Sequence, residues 1–160
     1  MKARVLRYLL FIAAVLTPSI FVSCEDEYED TKDAGETYIK NVDESDVVTL
    51  NTGLKYKKYF EEDPSWPSVP ALPGFIKLNY TAMFINGDTL SSGTNATFLY
   101  SNMIDGCKQA IKRMKVGSKW RLWIPYYLAY GSDGVNDGTV KVDPYTALIY
   151  DIELIGVTAN

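Results

Sequence analysis

The sequence predicts an α+β domain: an antiparallel β-sheet with one short helix packed against it. Two observations carry that prediction. Apolar residues alternate with period two through "FIKLNYTAMFI" (Phe75 to Ile85) and again through "YTALIYDIELIGV" (Tyr145 to Val157), as in strands with one buried face. Only "SNMIDGCKQAIKRMKVG" (Ser101 to Gly117) repeats its apolar residues at helical spacing. Strands surrounding a single helix pack most simply as a sheet with the helix on one face.

The chain opens with material that is not fold. "MKARVLR" supplies Lys2, Arg4 and Arg7, "YLLFIAAVL" is a short apolar run, and Pro18 breaks it before small Ser23 and then Cys24. A basic start, a short apolar stretch and a small residue describe a secretory signal over 1–23, too short and interrupted to span a membrane. A cysteine directly after the small residue resembles the bacterial lipoprotein signal, although Phe21 stands where that motif prefers Leu. The resemblance implies lipid on Cys24 and an anchor at a bacterial membrane, the outer membrane on its periplasmic or its surface face. An ordinary signal with an incidental cysteine is the alternative. Residues 24–46 follow as an acidic tether, since half of the chain's twenty acids fall between Glu25 and Asp46 and aliphatics are scarce. Such a stretch cannot bury enough apolar area to fold alone. An acidic run after a lipidated cysteine also resembles a surface-export signal of some Gram-negative lipoproteins. Calcium binding is disfavoured, because the acids lack the loop spacing and central glycine.

The folded domain is expected over 47–160. "VVTLNTGLKYKKYF" is rich in β-branched and aromatic residues, with Leu54, Tyr56 and Lys58 on one side. "EEDPSWPSVPALPG" holds four prolines in ten residues and reads as an extended loop. In the next strand Ile76, Leu78, Tyr80, Ala82 and Phe84 form the buried face. "NGDTLSSGTNAT" reads as turn, with Asn86-Gly87 suited to positive φ. Met103, Cys107, Ile111 and Met114 make the helix's apolar stripe, Lys108, Lys112, Arg113 and Lys115 face water, and Gly117 closes it. "SKWRLWI" is a strand with Trp120, Leu122 and Ile124 on one face and Arg121 and Trp123 on the other. A long loop leads to the last strand, where Leu148, Tyr150, Ile152 and Leu154 oppose Ala147, Ile149, Asp151 and Glu153.

Composition narrows the chemistry. The 160 residues hold no histidine, which removes Ser-His-Asp triads, Cys-His pairs and His-ligated zinc. A formal charge of −4 argues against nucleic acid, whose phosphates need a basic face. With 47% apolar residues a core is attainable without metal or disulfide. If Cys24 carries lipid, Cys107 has no partner and is a free thiol. A redox role for it is disfavoured, since no C-x-x-C pattern exists and an apolar helical face implies burial.

The ordered blocks "GLKY", "LNYTAMFINGDTLSSG", "FLYSNMIDG", "MKVGSKWRLWIPYYLAYG" and "DPYTALIYDIELIGV" resemble the FKBP-type peptidyl-prolyl isomerases from about Thr52 to Val157. The most specific block runs from Met114 to Gly131. The resemblance implies an FKBP-like curved sheet wrapped around the helix, with a proline pocket between them. It also implies a catalytic set of Tyr80, the Ile104 backbone N–H and the Tyr130 hydroxyl. Leu90, Ser91, Phe98, Met103, Cys107 and Tyr150 would bind substrate around them. The partners implied are proline-containing polypeptides folding outside the inner membrane; no metal or cofactor is called for, and a monomer is expected.

Three departures from the family pattern matter. Leu90 replaces an aromatic wall, Ser91 replaces an acid, and Cys107 replaces the tryptophan that floors the pocket. Trading tryptophan for a small residue at a filled site costs about 3–5 kcal/mol unless neighbours compensate, and flexible Met103 is a candidate filler. The chain is therefore expected to be an X–Pro isomerase, or alternatively a catalytically weak peptide-binding or chaperone module tethered to the membrane.

Overall fold

The computed structural model describes residues 28–61 and 73–159. In chain order they form α1 (Glu29–Lys40), β1 (Val47–Thr49), β2 (Lys55–Phe60), β3 (Pro73–Phe84) and β4 (Thr89–Leu99). Then come α2 (Asp105–Ile111), β5 (Lys119–Ile124), β6 (Val135–Asn136), β7 (Lys141–Val142) and β8 (Leu148–Ala159). The six longer or edge strands make one sheet in the order β1-β2-β5-β8-β3-β4, antiparallel throughout, and β6 and β7 form a separate small hairpin. The α+β class is as the sequence predicts. The signal, Cys24 and most of the proline-rich loop lie outside the described residues.

The main core fills the space between one sheet face and α2. Ile76, Leu78, Leu122, Ile124, Ile152 and Leu154 project from the sheet, and Cys107, Ala110 and Ile111 project from α2. Tyr56 and Trp120 stack within it at 4.4 Å between centroids. The period-two assignment of inward residues therefore holds, because each strand contributes its alternate side chains to that face. The helix is shorter than its apolar stripe: α2 ends at Ile111, and Met114 is buried from the turn that follows. Gly117 consequently caps no helix; it sits in that turn with φ near 91° and donates to the Leu154 carbonyl.

Three local expectations are corrected. The stretch read as turn after Asn86-Gly87 is a strand from Thr89, because β3 offers its full length as a pairing partner. The long loop after β5 carries the β6–β7 hairpin, whose turn is held by two backbone N–H groups donating to Asp137 Oδ1. The third correction is larger. The acidic segment is helical from Glu29 to Lys40, so the described residues hold two α-helices rather than one.

The reason lies on the sheet's other face. Trp123, Ala147 and Ile149 would be an apolar patch in water, and Ile39 of α1 covers it. Gly35 permits the close approach, since a Cβ there would lie 2.9 Å from the Ala147 Cβ. Glu29 and Asp30 in the first turn and Lys40 in the last suit the helix dipole. Lys55 of β2 donates to the Lys40 and Val42 carbonyls at 3.2 and 3.1 Å, occupying acceptors the helix end leaves open. A sequence too polar to fold alone thus folds on a surface already built. No described helix is long and apolar enough to cross a membrane.

Candidate functional site

A cleft of about 190 Å³ opens between β3, β4, the entry to α2 and the loop after β5. All nine pocket residues expected from the sequence line it. Tyr80 comes from β3, and Leu90, Ser91 and Phe98 from β4. Met103 and Ile104 precede α2, Cys107 lies on it, Tyr130 follows β5, and Tyr150 is on β8. Leu78, Asn102 and Val140 complete the lining, and no charged side chain is among the twelve. Of these three, Leu78 could have been found, since it stands two residues before Tyr80 on the same strand face. Asn102 and Val140 sit in connections without periodicity and left no signal.

Tyr80 is held from two sides. Its hydroxyl pairs with Ser91 Oγ at 2.9 Å, and its ring meets Phe98 edge-on at 5.3 Å. Gly93 stands opposite it in the sheet, where any Cβ would come within 2.8 Å of the Tyr80 ring. Ser91 therefore supplies the polar partner for Tyr80 without bringing a charge into the cleft.

The path into α2 explains the "MIDGC" segment. A 3₁₀ turn, Tyr100–Asn102, leads to Met103, whose N–H donates to the Tyr100 carbonyl. Ile104 is extended and its carbonyl accepts the first helical bond from Lys108 at 3.1 Å. Its own N–H makes no bond to a described residue, as expected of a group at a helix start. Gly106 then lets α2 lie flush against β5, since a Cβ would come within 2.5 Å of Ile124. That contact seats the next residue, Cys107, under the cleft at 2% exposure.

Burial governs the titratable groups here. The Cys107 thiol is pushed up to about 12 by loss of solvent, so it is neutral and unreactive at physiological pH. Burial also raises the Tyr130 hydroxyl, partly offset by the Tyr150 hydroxyl beside it. Tyr150 is raised well above the ordinary phenol value, first by burial and then by its neighbours Cys107 and Tyr130. Both phenols stay protonated and can donate. Tyr130 is placed by the turn around it: Gly131 N–H donates to the Tyr126 carbonyl, and Tyr145 N–H donates to the Gly131 carbonyl.

The site is thus an apolar, uncharged hollow lined by a few hydroxyls and by Ile104, whose N–H has no partner among the described residues. Engineered apolar cavities of about 150 Å³ accept a benzene ring, so there is room for a pyrrolidine. Met103 and Cys107 both line this hollow.

Residues 69–155 match the family described as FKBP-type peptidyl-prolyl cis-trans isomerase. The chain is 34% identical over 121 residues to the peptidyl-prolyl cis-trans isomerase Mip of Coxiella burnetii, covering 73% of this chain and 50% of that protein. It is 31% identical over 134 residues to the outer membrane protein MIP of Legionella longbeachae, covering 81% and 55%. The crystal structure of a peptidyl-prolyl cis-trans isomerase from Pseudomonas syringae superposes with a TM-score of 0.71 at 28% identity, over 82% of this chain and 96% of that one. The chain spans about half the length of the two curated relatives. With the fold, the ordered blocks and the cleft in agreement, this chain belongs to the FKBP-type peptidyl-prolyl cis-trans isomerase family.

Proposed function

We propose that the chain catalyses cis–trans isomerisation of X–Pro bonds in polypeptides outside the inner membrane. The observation that carries the proposal is the convergence of Tyr80, Ile104, Tyr130 and Tyr150 on one uncharged cleft. The barrier to rotation, about 18–20 kcal/mol, comes from amide resonance. Twisting the C–N bond removes that resonance and leaves a less polar carbonyl. An apolar site therefore disfavours the planar ground state relative to the twisted one. The Ile104 N–H and the protonated Tyr130 hydroxyl would hold the substrate carbonyls in register. No nucleophile, metal or cofactor has a part in this chemistry, so the lack of histidine is no obstacle.

The test is a proline-peptide isomerisation assay on the full chain. Rates at the uncatalysed level would sink the proposal. They would favour the second reading, a peptide-binding module of low activity, which Leu90, Ser91 and Cys107, the departures from the family pattern that line the cleft, support. Under either reading the protein is a monomer held by lipid on Cys24, at the outer membrane. Mass spectrometry of the purified chain checks the anchor: a free, unmodified Cys24 would exclude it.

A further inference from the structure

β4 supplies three cleft residues, yet their spacing is wrong for a regular strand. Ser91 and Phe98 are seven positions apart, an odd number, and in an unbroken strand they would point to opposite faces. The register shows how both face inward. Phe98 stands opposite Ile76 and Ala96 opposite Leu78, but Gly93 stands opposite Tyr80 and Ser91 opposite Ala82. Thr94 and Asn95 together oppose the single residue Asn79, which is a β-bulge. Asn95 adopts φ near 52°, in the left-handed region.

The side chain of Asn79 holds this bulge. Its Oδ1 accepts from the Asn95 N–H at 2.8 Å, which leaves its Nδ2 to donate to Glu153 Oε2 at 2.9 Å. Glu153 Oε1 meets Lys119 Nζ at 3.3 Å. Lys119, Glu153, Asn79 and Asn95 belong to β5, β8, β3 and β4, four adjacent strands, so a polar chain ties the bulge to the middle of the sheet. It runs on the face opposite the cleft. We infer that Asn79 is a positioning residue: by pinning the β4 bulge it turns Ser91 and Phe98 toward Tyr80 and so builds one wall of the cleft. Its effect on catalysis rests on the isomerase proposal; its effect on the wall does not.

Two variants of the full chain test this. Asn79→Ala removes both side-chain bonds. The exchanged pair Asn79→Asp with Glu153→Gln restores both, with donor and acceptor reversed between β3 and β8. The carboxylate introduced on β3 accepts from the Asn95 N–H and from the amide introduced on β8. The expected result is a fall in kcat/KM of about tenfold for Asn79→Ala, the scale of small misplacements in a site. The exchanged pair should return to within about twofold of wild type. The amide shifts of Ser91 and Phe98 should move in the first variant and return in the second. If Asn79→Ala does not fold, Asn79→Thr replaces it, being strand-compatible and too short to reach Asn95. An unchanged kcat/KM in folded Asn79→Ala or Asn79→Thr, or no recovery in the exchanged pair, overturns the inference. A wild-type chain without isomerase activity would refute the enzyme proposal alone. The wall is then read from the shifts, and shifts unmoved by Asn79→Ala overturn the inference.

Discussion

Ile39→Ala tests the docking of α1, the feature least expected from the sequence. Ile39 is 7% exposed and packs with Trp123, Ala147 and Ile149. The substitution removes three carbons, worth about 0.8 kcal/mol each in transfer, so about 2.4 kcal/mol before any cavity. The space left beneath a helix adds to that, giving the range of about 2–5 kcal/mol seen for such truncations. Alanine's better helix propensity returns a few tenths. A net loss of about 2–3 kcal/mol should lower the thermal midpoint by roughly 5–10 °C for a chain of this size. Thermal unfolding followed by tryptophan fluorescence reads it, because Trp123 lies under the helix. The neighbouring Tyr38→Ala, at an exposed position, should shift the midpoint by no more than a degree or two. Equal effects from the two substitutions would refute the reasoning and leave α1 as a solvated appendage.

Further expectations concern the cleft. Cys107→Trp places an indole at the floor; it should raise kcat/KM several-fold while costing about 1–3 kcal/mol of stability, and a fall in activity would mean that the hollow serves a larger substrate group. Ser91→Ala and Tyr80→Phe each break the 2.9 Å hydroxyl pair and should each cost about 0.5–1.5 kcal/mol. The double variant should cost no more than the larger single one, and full additivity in denaturant unfolding would contradict the pairing. The fold favours the neutral Cys107 thiol, whose ordinary value near 9 is raised to about 12, so its contribution to stability is complete below pH 9 and lost as pH rises toward 12. Thermal midpoints measured across that window should fall less steeply for Cys107→Ala than for wild type; parallel curves would show that the thiol is not buried in solution.

Much of this was legible because local rules sufficed. Alternation marked β3, β5 and β8 and assigned their inward residues, since a strand sends successive side chains to opposite faces whatever it pairs with. The motif around "MIDGC" marked the start of α2, since Gly106 and the helix entry are local requirements. Tyr80, Met103, Ile104, Cys107, Tyr130 and Tyr150 lie on or beside such elements, whereas Leu90, Ser91 and Phe98 lie on β4; all nine converge.

What the sequence could not decide depends on surfaces that exist only after folding. Residues 29–40 are acidic and weakly apolar, and nothing local shows that Gly35 and Ile39 will meet Ala147 and Trp123 from distant parts of the chain. The turn-like "SSGTNAT" is a strand because β3 pairs with it, and Ser91 and Phe98 share a face only because Asn79 holds a bulge between them. By itself the sequence determined which residues are inward on β3, β5, β8 and α2, and its ordered blocks carried the resemblance that implied the cleft. Tertiary structure alone decided that the acidic segment becomes a helix and that β4 bulges at Thr94 and Asn95. Long-range contacts stabilise each of these, and period and propensity register only neighbours along the chain.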